Sequence, residues 1–156
     1  MAEEQQDPQP VFTIEKIYVK DLSIEVPNAP QVFLERDTPR VDVQLSTKAS
    51  PVDEGHYEVV VSVTTTASLN EKTVFLVEAH QAAIFQVRNL PKESLEPVLS
   101  ITCPNILFPY VRETVSDAIT RCGFPPFLLA PVNFEALYQQ RLQQQPGQGE
   151  AAPTTH

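Results

Sequence analysis

The segment CPNILFPYVRETVSDAITRCG, residues 103–123, decides the fold, because it is the only long stretch with a clean helical period. Leu107, Val111, Val115, Ala118 with Ile119, and Cys122 recur every three or four residues and so stack as one apolar stripe. Asn105 is the expected N-cap. That places Pro109 in the first turn, where its missing N–H forfeits at most one intrahelical bond. Gly123 ends the helix, and Phe124-Pro125-Pro126 forbids its continuation. The polar face carries Arg112, Glu113, Asp117 and Arg121, with Asp117 four residues before Arg121 as a favourable pair. Such a helix is marginal alone and needs an apolar surface to lie on.

Strands supply that surface. Residues 11–26 alternate, with Phe12, Ile14, Tyr18, Leu22, Ile24 and Val26 on one parity and Thr13, Glu15, Asp21, Ser23 and Glu25 on the other. Lys16, Lys20, Ile17 and Val19 break the pattern, which predicts a face-switching bulge near Val19. Residues 27–40 are too long and proline-rich for a tight hairpin and read as a crossover carrying Val32, Phe33 and Leu34 over an edge. Val41, Val43, Leu45 and Thr47 alternate with polar residues, and SPVDEG (50–55) is a turn. Residues 57–67, rich in Val and Thr on both faces, read as a central strand. A turn at 69–72 leads into a strand over 73–87, both faces of which are mostly uncharged. One helical layer covers one face only, so the other requires protein from elsewhere, most economically a second copy.

After the long helix, FPPFLLAPV (124–132) is an apolar loop. Asn133 then caps a second amphipathic helix with Phe134, Leu137, Tyr138 and Leu142 on its stripe. Four strands followed by two helices predict an α+β domain, a four-stranded antiparallel sheet with both helices layered on one face. Residues 1–10 and 143–156 are too polar to pack and are expected to be disordered, leaving 11–142 as the domain.

Composition narrows the function. A net charge of −9 with scattered basic residues argues against nucleic acid and favours a basic partner. Cys103 and Cys122 have no metal or redox spacing and read as buried thiols. With no apolar leader and no run near ~18 apolar residues, a soluble cytoplasmic protein is expected. Neither a nucleophile elbow, a phosphate loop, a zinc motif nor a dinucleotide fingerprint is present, so no enzyme and no cofactor are expected. Glu78 and His80 share a strand face and could make an acid/base pair, but with no nucleophile or glycine-rich phosphate cradle beside them a solvated face is the better reading. Two surfaces stand out. Phe33, Phe108, Tyr110, Phe124, Phe127, Leu128, Leu129 and Tyr138 offer an apolar, groove-like region for client segments. Asp21 and Glu25 form, with Glu78, a negative patch if their strands are neighbours.

IYVKDLSIEVPNAPQVF (17–33), CPNILFPYVRE (103–113) and LAPVNFEALY (129–138) closely resemble the SecB family of bacterial protein-export chaperones, over roughly residues 12–142. The resemblance implies a homotetramer, a dimer of dimers, that binds non-native precursor proteins without ATP and delivers them to the SecA ATPase, without inserting into the membrane. It implies that Asp21, Glu25, Leu76 and Glu78 engage the zinc-containing C-terminal segment of SecA. Val77, Ala79 and Gln81 match positions at which family tetramers are weakened, and residues 123–133 with the crossover near Phe33 match the client groove. Asp37 stands where enteric members carry a groove aromatic. Two alternatives remain open from the residues: a small-molecule module or enzyme with a pocket under the proline-rich loop, or a SecB-like chaperone dedicated to one partner such as an antitoxin.

Overall fold

The computed structural model describes residues 7–144. Four antiparallel strands, β1 (Val11–Glu25), β2 (Arg40–Asp53), β3 (His56–Leu69) and β4 (Lys72–Arg88), form one sheet in the order β1-β4-β3-β2. The first and second strands are therefore the two edges. The chain between them crosses the sheet's end through a 3-10 turn at Gln31–Leu34, tied down where Asn28 Nδ2 donates to the Thr73 carbonyl at 2.8 Å. The crossover, the central position of β3 and the turn at 69–72 all follow the sequence. At that turn Asn70 and Glu71 take positive φ, as a two-residue hairpin of matching twist demands. The turn expected at 50–55 is shorter. β2 runs on through Pro51 to Asp53, because an edge strand has a side on which a missing N–H breaks no ladder bond.

β1 carries two register shifts, at Ile14/Lys16 and Val19/Asp21, where the alternation announces one. Their effect is to keep the apolar residues together. Phe12, Ile14, Ile17, Val19, Leu22 and Ile24 pair with Val87, Phe85, Ala83, Gln81, Ala79 and Val77, and so share one face of the sheet. Tyr18, assigned by simple parity to the same side, is instead turned outward opposite Ala82, and Asp21 and Glu25 lie on that outward face opposite His80 and Leu76.

The helical layer begins earlier than a cap at Asn105 allows. α1 (Lys92–Pro97) runs through a wide turn at Val98–Thr102 into α2 (Cys103–Arg121), so Asn105 and Pro109 are interior residues. Pro104 has no N–H, and its ring crowds the carbonyl four residues back. The wide turn relieves this, with Cys103 N–H donating five residues back to Val98. The far end is as expected. Gly123, at φ +92, donates to Thr120 and Phe124 to Ile119, satisfying the last carbonyls. A side chain at Gly123 is doubly disfavoured, since a Cβ there would meet the Phe33 ring at 3.1 Å. Arg121 Nε lies 2.9 Å from Asp117 Oδ2, and Asn133 Oδ1 accepts from Ala136 N–H at the start of α3 (Phe134–Gln144). Of the two segments expected to be disordered, 1–6 and 145–156 lie outside the described residues. Within them, Gln9 accepts a bond from Asn89, and Gln143 and Gln144 are helical.

The core lies between α2 and the middle strands. Leu107, Val111, Val115, Ala118 and Ile119 are buried against Val59, Val61, Val63, Val77, Ala79, Ala83 and Phe85. Cys103 is buried and its thiol is pushed up to about 12 by burial, whereas Cys122 is only half-buried. One polar atom in this core lacks a partner, the hydroxyl of Thr65, which is fully buried opposite Val77. Thr65→Val replaces that hydroxyl by a methyl of the same shape, and we expect a gain of about 1 kcal/mol. Urea denaturation checks it: the midpoint rises at constant slope, and a fall would mean that the hydroxyl is satisfied.

Candidate functional site: an apolar groove and an acidic sheet face

Where the crossover, the β3–β4 turn and the proline-rich loop meet, the chain leaves a groove of about 410 Å³. Val32, Val41, Leu69, Val74, Phe75, Phe124 and Phe127 line it with Pro39, Pro125 and Pro126, and Glu35, Asp37 and Thr38 are its polar lining residues. Aromatic packing builds one wall. Phe124 stacks on Phe33 with centroids 5.1 Å apart and meets Phe75 at the same distance. Phe33 is 47% exposed and extends the apolar surface outward. Prolines hold the loop open without regular structure, and Arg112 Nε pins its far end through the Leu129 carbonyl at 3.1 Å.

Of the eight residues expected to form the client surface, the structure brings Phe33, Phe124 and Phe127 together. Phe108, Leu129 and Tyr138 are buried in the helix–sheet core instead, Phe108 against Phe134 edge-on with the Arg112 guanidinium over its ring. Helical and loop positions next to a buried stripe are drawn inward with it. Tyr110 and Leu128 are exposed but do not line the groove. Phe75, Val74, Leu69, Val41 and Val32 do line it and were missed, because only the crossover's path tells which end of the strands stays uncovered. The titratable groups at the groove are therefore Glu35 and Asp37, not the tyrosines.

The second surface is the sheet face away from α2. Register sets Asp21 opposite His80, Ser23 opposite Glu78 and Glu25 opposite Leu76, so Asp21, Glu25, Leu76 and Glu78 share one patch as alternation requires. His80 Nε2 lies 3.0 Å from Glu78 Oε1, the pairing that the sequence offers only as the lesser alternative to a solvated face, and Ser62 Oγ lies 2.6 Å from His80 Nδ1, a contact that only the strand register reveals. Beside them Lys20 Nζ is 2.7 Å from Glu58 Oε1, and Tyr18 donates to the other oxygen of Glu58. Bonds from Lys20 and Tyr18 hold the Glu58 carboxyl below its ordinary range, while burial and Glu58 push the Tyr18 hydroxyl up to about 12.

Val77, Ala79 and Gln81 are on the opposite face, fully or almost fully buried beneath α2 within the single chain. Gln81 is the polar clamp there, donating to the Tyr18 carbonyl at 3.2 Å and accepting from Thr114 on α2 at 2.8 Å. α2 lies mainly over β4 and β3, leaving Phe12, Ile14, Val19, Leu22 and Ile24 of β1 exposed on the apolar side.

The family described as SecB, preprotein translocase subunit SecB, matches residues 5–145. The chain belongs to the SecB family. The protein-export protein SecB of Dechloromonas aromatica is 62% identical over 143 residues, covering 92% of this chain and 94% of that protein. SecB of Chromobacterium violaceum is 61% identical over 148 residues, 95% of this chain and 99% of its own. Among solved structures, a SecB-like chaperone from Mycobacterium tuberculosis, in complex with a peptide from the HigA1 antitoxin, superposes with a TM-score of 0.64. It is 21% identical, over 78% of this chain and 90% of that one, so the likeness shows the SecB-like fold alone. By its family the chain is a protein-export chaperone. No helix among the described residues is long and apolar enough to cross a membrane.

Proposed function

We propose that the chain is an ATP-independent holdase of the cytoplasm that binds non-native precursor proteins in the groove and passes them to SecA. The observation that carries this reading is the groove itself in a SecB chain: ten of its lining residues are aromatic, aliphatic or proline, against three polar ones, Glu35, Asp37 and Thr38. Shallow apolar burial rewards any unfolded segment with exposed large side chains and offers a folded protein little. Fluorescence anisotropy of a labelled secretory precursor tests it. Binding of the urea-unfolded form on dilution, and none of the native form, is expected; equal binding of both would contradict it.

Assembly follows from the uncovered half of the apolar face. Five large side chains of β1 are 39–47% exposed side by side, a surface that a soluble monomer rarely keeps bare. A second copy covers it most economically, and we propose a homotetramer built as a dimer of dimers. Val77, Ala79 and Gln81 would act on assembly indirectly, by seating α2.

The acidic face, Asp21, Glu25 and Glu78 around Leu76, is proposed as the dock for the basic, zinc-stabilised C-terminal segment of SecA. Glu78→Lys reverses a charge there and leaves the groove alone. We expect affinity for that segment to fall tenfold or more, roughly 1.4 kcal/mol, with client binding nearly unchanged. Titration calorimetry decides it: parental affinity would mean that the face is covered by another subunit.

No observation favours the enzyme alternative. Ser62, His80 and Glu78 are spaced like a nucleophile, base and orienting acid, but Ser62 and His80 are each paired on both sides within the sheet. Their backbone N–H groups serve the ladder, so they offer no oxyanion donors.

A further inference from the structure

The Ser62–His80–Glu78 chain has a different use on the docking face. A neutral imidazole protonated at Nε2 satisfies both contacts at once, donating to the Glu78 carboxylate and accepting the Ser62 hydroxyl at Nδ1. The Glu78 carboxylate, which can only accept, requires that tautomer, and the Ser62 hydroxyl holds the ring in place by donating to Nδ1. We propose that Ser62 and His80 position the Glu78 carboxylate and set the charge of the docking face, so that a basic segment docks less well once His80 takes up a proton.

The proposal rests on the reading of this face as the dock. The charged and titratable groups around His80 are Tyr18, Lys20 and Asp21 on β1, Lys48 on β2, Glu58 on β3 and Glu78 on β4 itself. Lys20 is engaged by Glu58 at 2.7 Å, and Asp21 lies opposite His80 in the register. A proton on His80 therefore sets a cation between two carboxylates of the dock, where the partner's own positive charge must come. The geometry survives the change. Nδ1–H then donates to Ser62 Oγ and Nε2–H still donates to Glu78, so charge is altered and shape is not. Glu78 keeps 47% of its side chain exposed and so remains available to a partner.

Titration calorimetry with the isolated, zinc-loaded C-terminal segment of SecA at pH 8 and pH 6, together with imidazole nitrogen NMR, tests this. Parental affinity should drop roughly fivefold at pH 6, as for one screened surface charge. His80→Gln, which keeps an N–H donor but cannot titrate, should remove that drop, while any pH dependence of the segment itself persists in both proteins. The neutral parent should show the Nε2–H form, and Glu78→Ala, which removes the acceptor-only partner, should show a mixture of tautomers. An equal drop in parent and His80→Gln overturns the gating, and an Nδ1–H tautomer in the parent overturns the positioning. Absence of parental binding at pH 8 sinks the docking reading and the gating with it, and the nitrogen shifts still decide whether Ser62 and His80 hold Glu78.

Discussion

Val77→Asp should destabilise the chain by at least about 3–5 kcal/mol and dissolve the proposed tetramer with it. The side chain is fully buried between the sheet and α2, next to Ala79 and opposite Thr65, with no cation on hand to pair a carboxylate. An unpaired charge in such a place costs several kcal/mol, against total stabilities on the order of 5–15 kcal/mol. From sequence alone the expected outcome is a tetramer split into dimers, because both faces of the strand are largely apolar and one of them is left for another subunit. The burial of Val77 under α2 changes the mechanism: the helix is unseated first, and any interface built on it follows. Thermal unfolding followed by circular dichroism, run beside light scattering, separates the two. A melting point lowered by about 10 °C or more is expected. An unchanged melting point with dimers in place of tetramers would return Val77 to an intersubunit contact.

The second large effect is on client capture. Phe33→Ser with Phe127→Ser removes the half-exposed ring that extends the groove and one of the rings that line it, leaving Phe124 on Phe75. At ~1.5–3 kcal/mol for each large apolar side chain buried by a bound segment, affinity for an unfolded precursor should fall about a hundredfold or more. Leu128→Ser is the contrast, since Leu128 is 71% exposed and lies outside the groove. Anisotropy titrations with one labelled precursor compare them. A larger loss for Leu128→Ser than for the double variant would move client capture to the outer surface of the loop.

The sequence made legible what depends on local period. The α2 stripe, the Gly123 stop, the Asn133 cap and the acidic parity of Asp21 and Glu25 needed only neighbours in the chain, and each is in place. Asp21 kept its face because the bulge at Lys20 comes just before it. Tyr18, between the two bulges, was turned to the opposite face, which no count of alternation with a single bulge could show. α1 and the wide turn stayed hidden behind Pro97 and Pro104, residues that normally argue against a helix interior. Depth was the other gap. Phe108 and Phe124 look alike in composition, yet one is buried edge-on against Phe134 of α3 and the other stacks on Phe33 of the crossover and opens onto the groove. Ser62 joined the site only through cross-strand register, a long-range fact by nature.

The holdase reading itself is most directly tested by refolding kinetics. An unfolded secretory precursor is diluted into buffer with a stoichiometric amount of the chain and no nucleotide, and recovery of native structure is followed by intrinsic fluorescence. Refolding is expected to be arrested or strongly slowed, with no change on adding ATP and no effect on precursor that is already native. Refolding at the rate of the precursor alone would contradict the holdase reading.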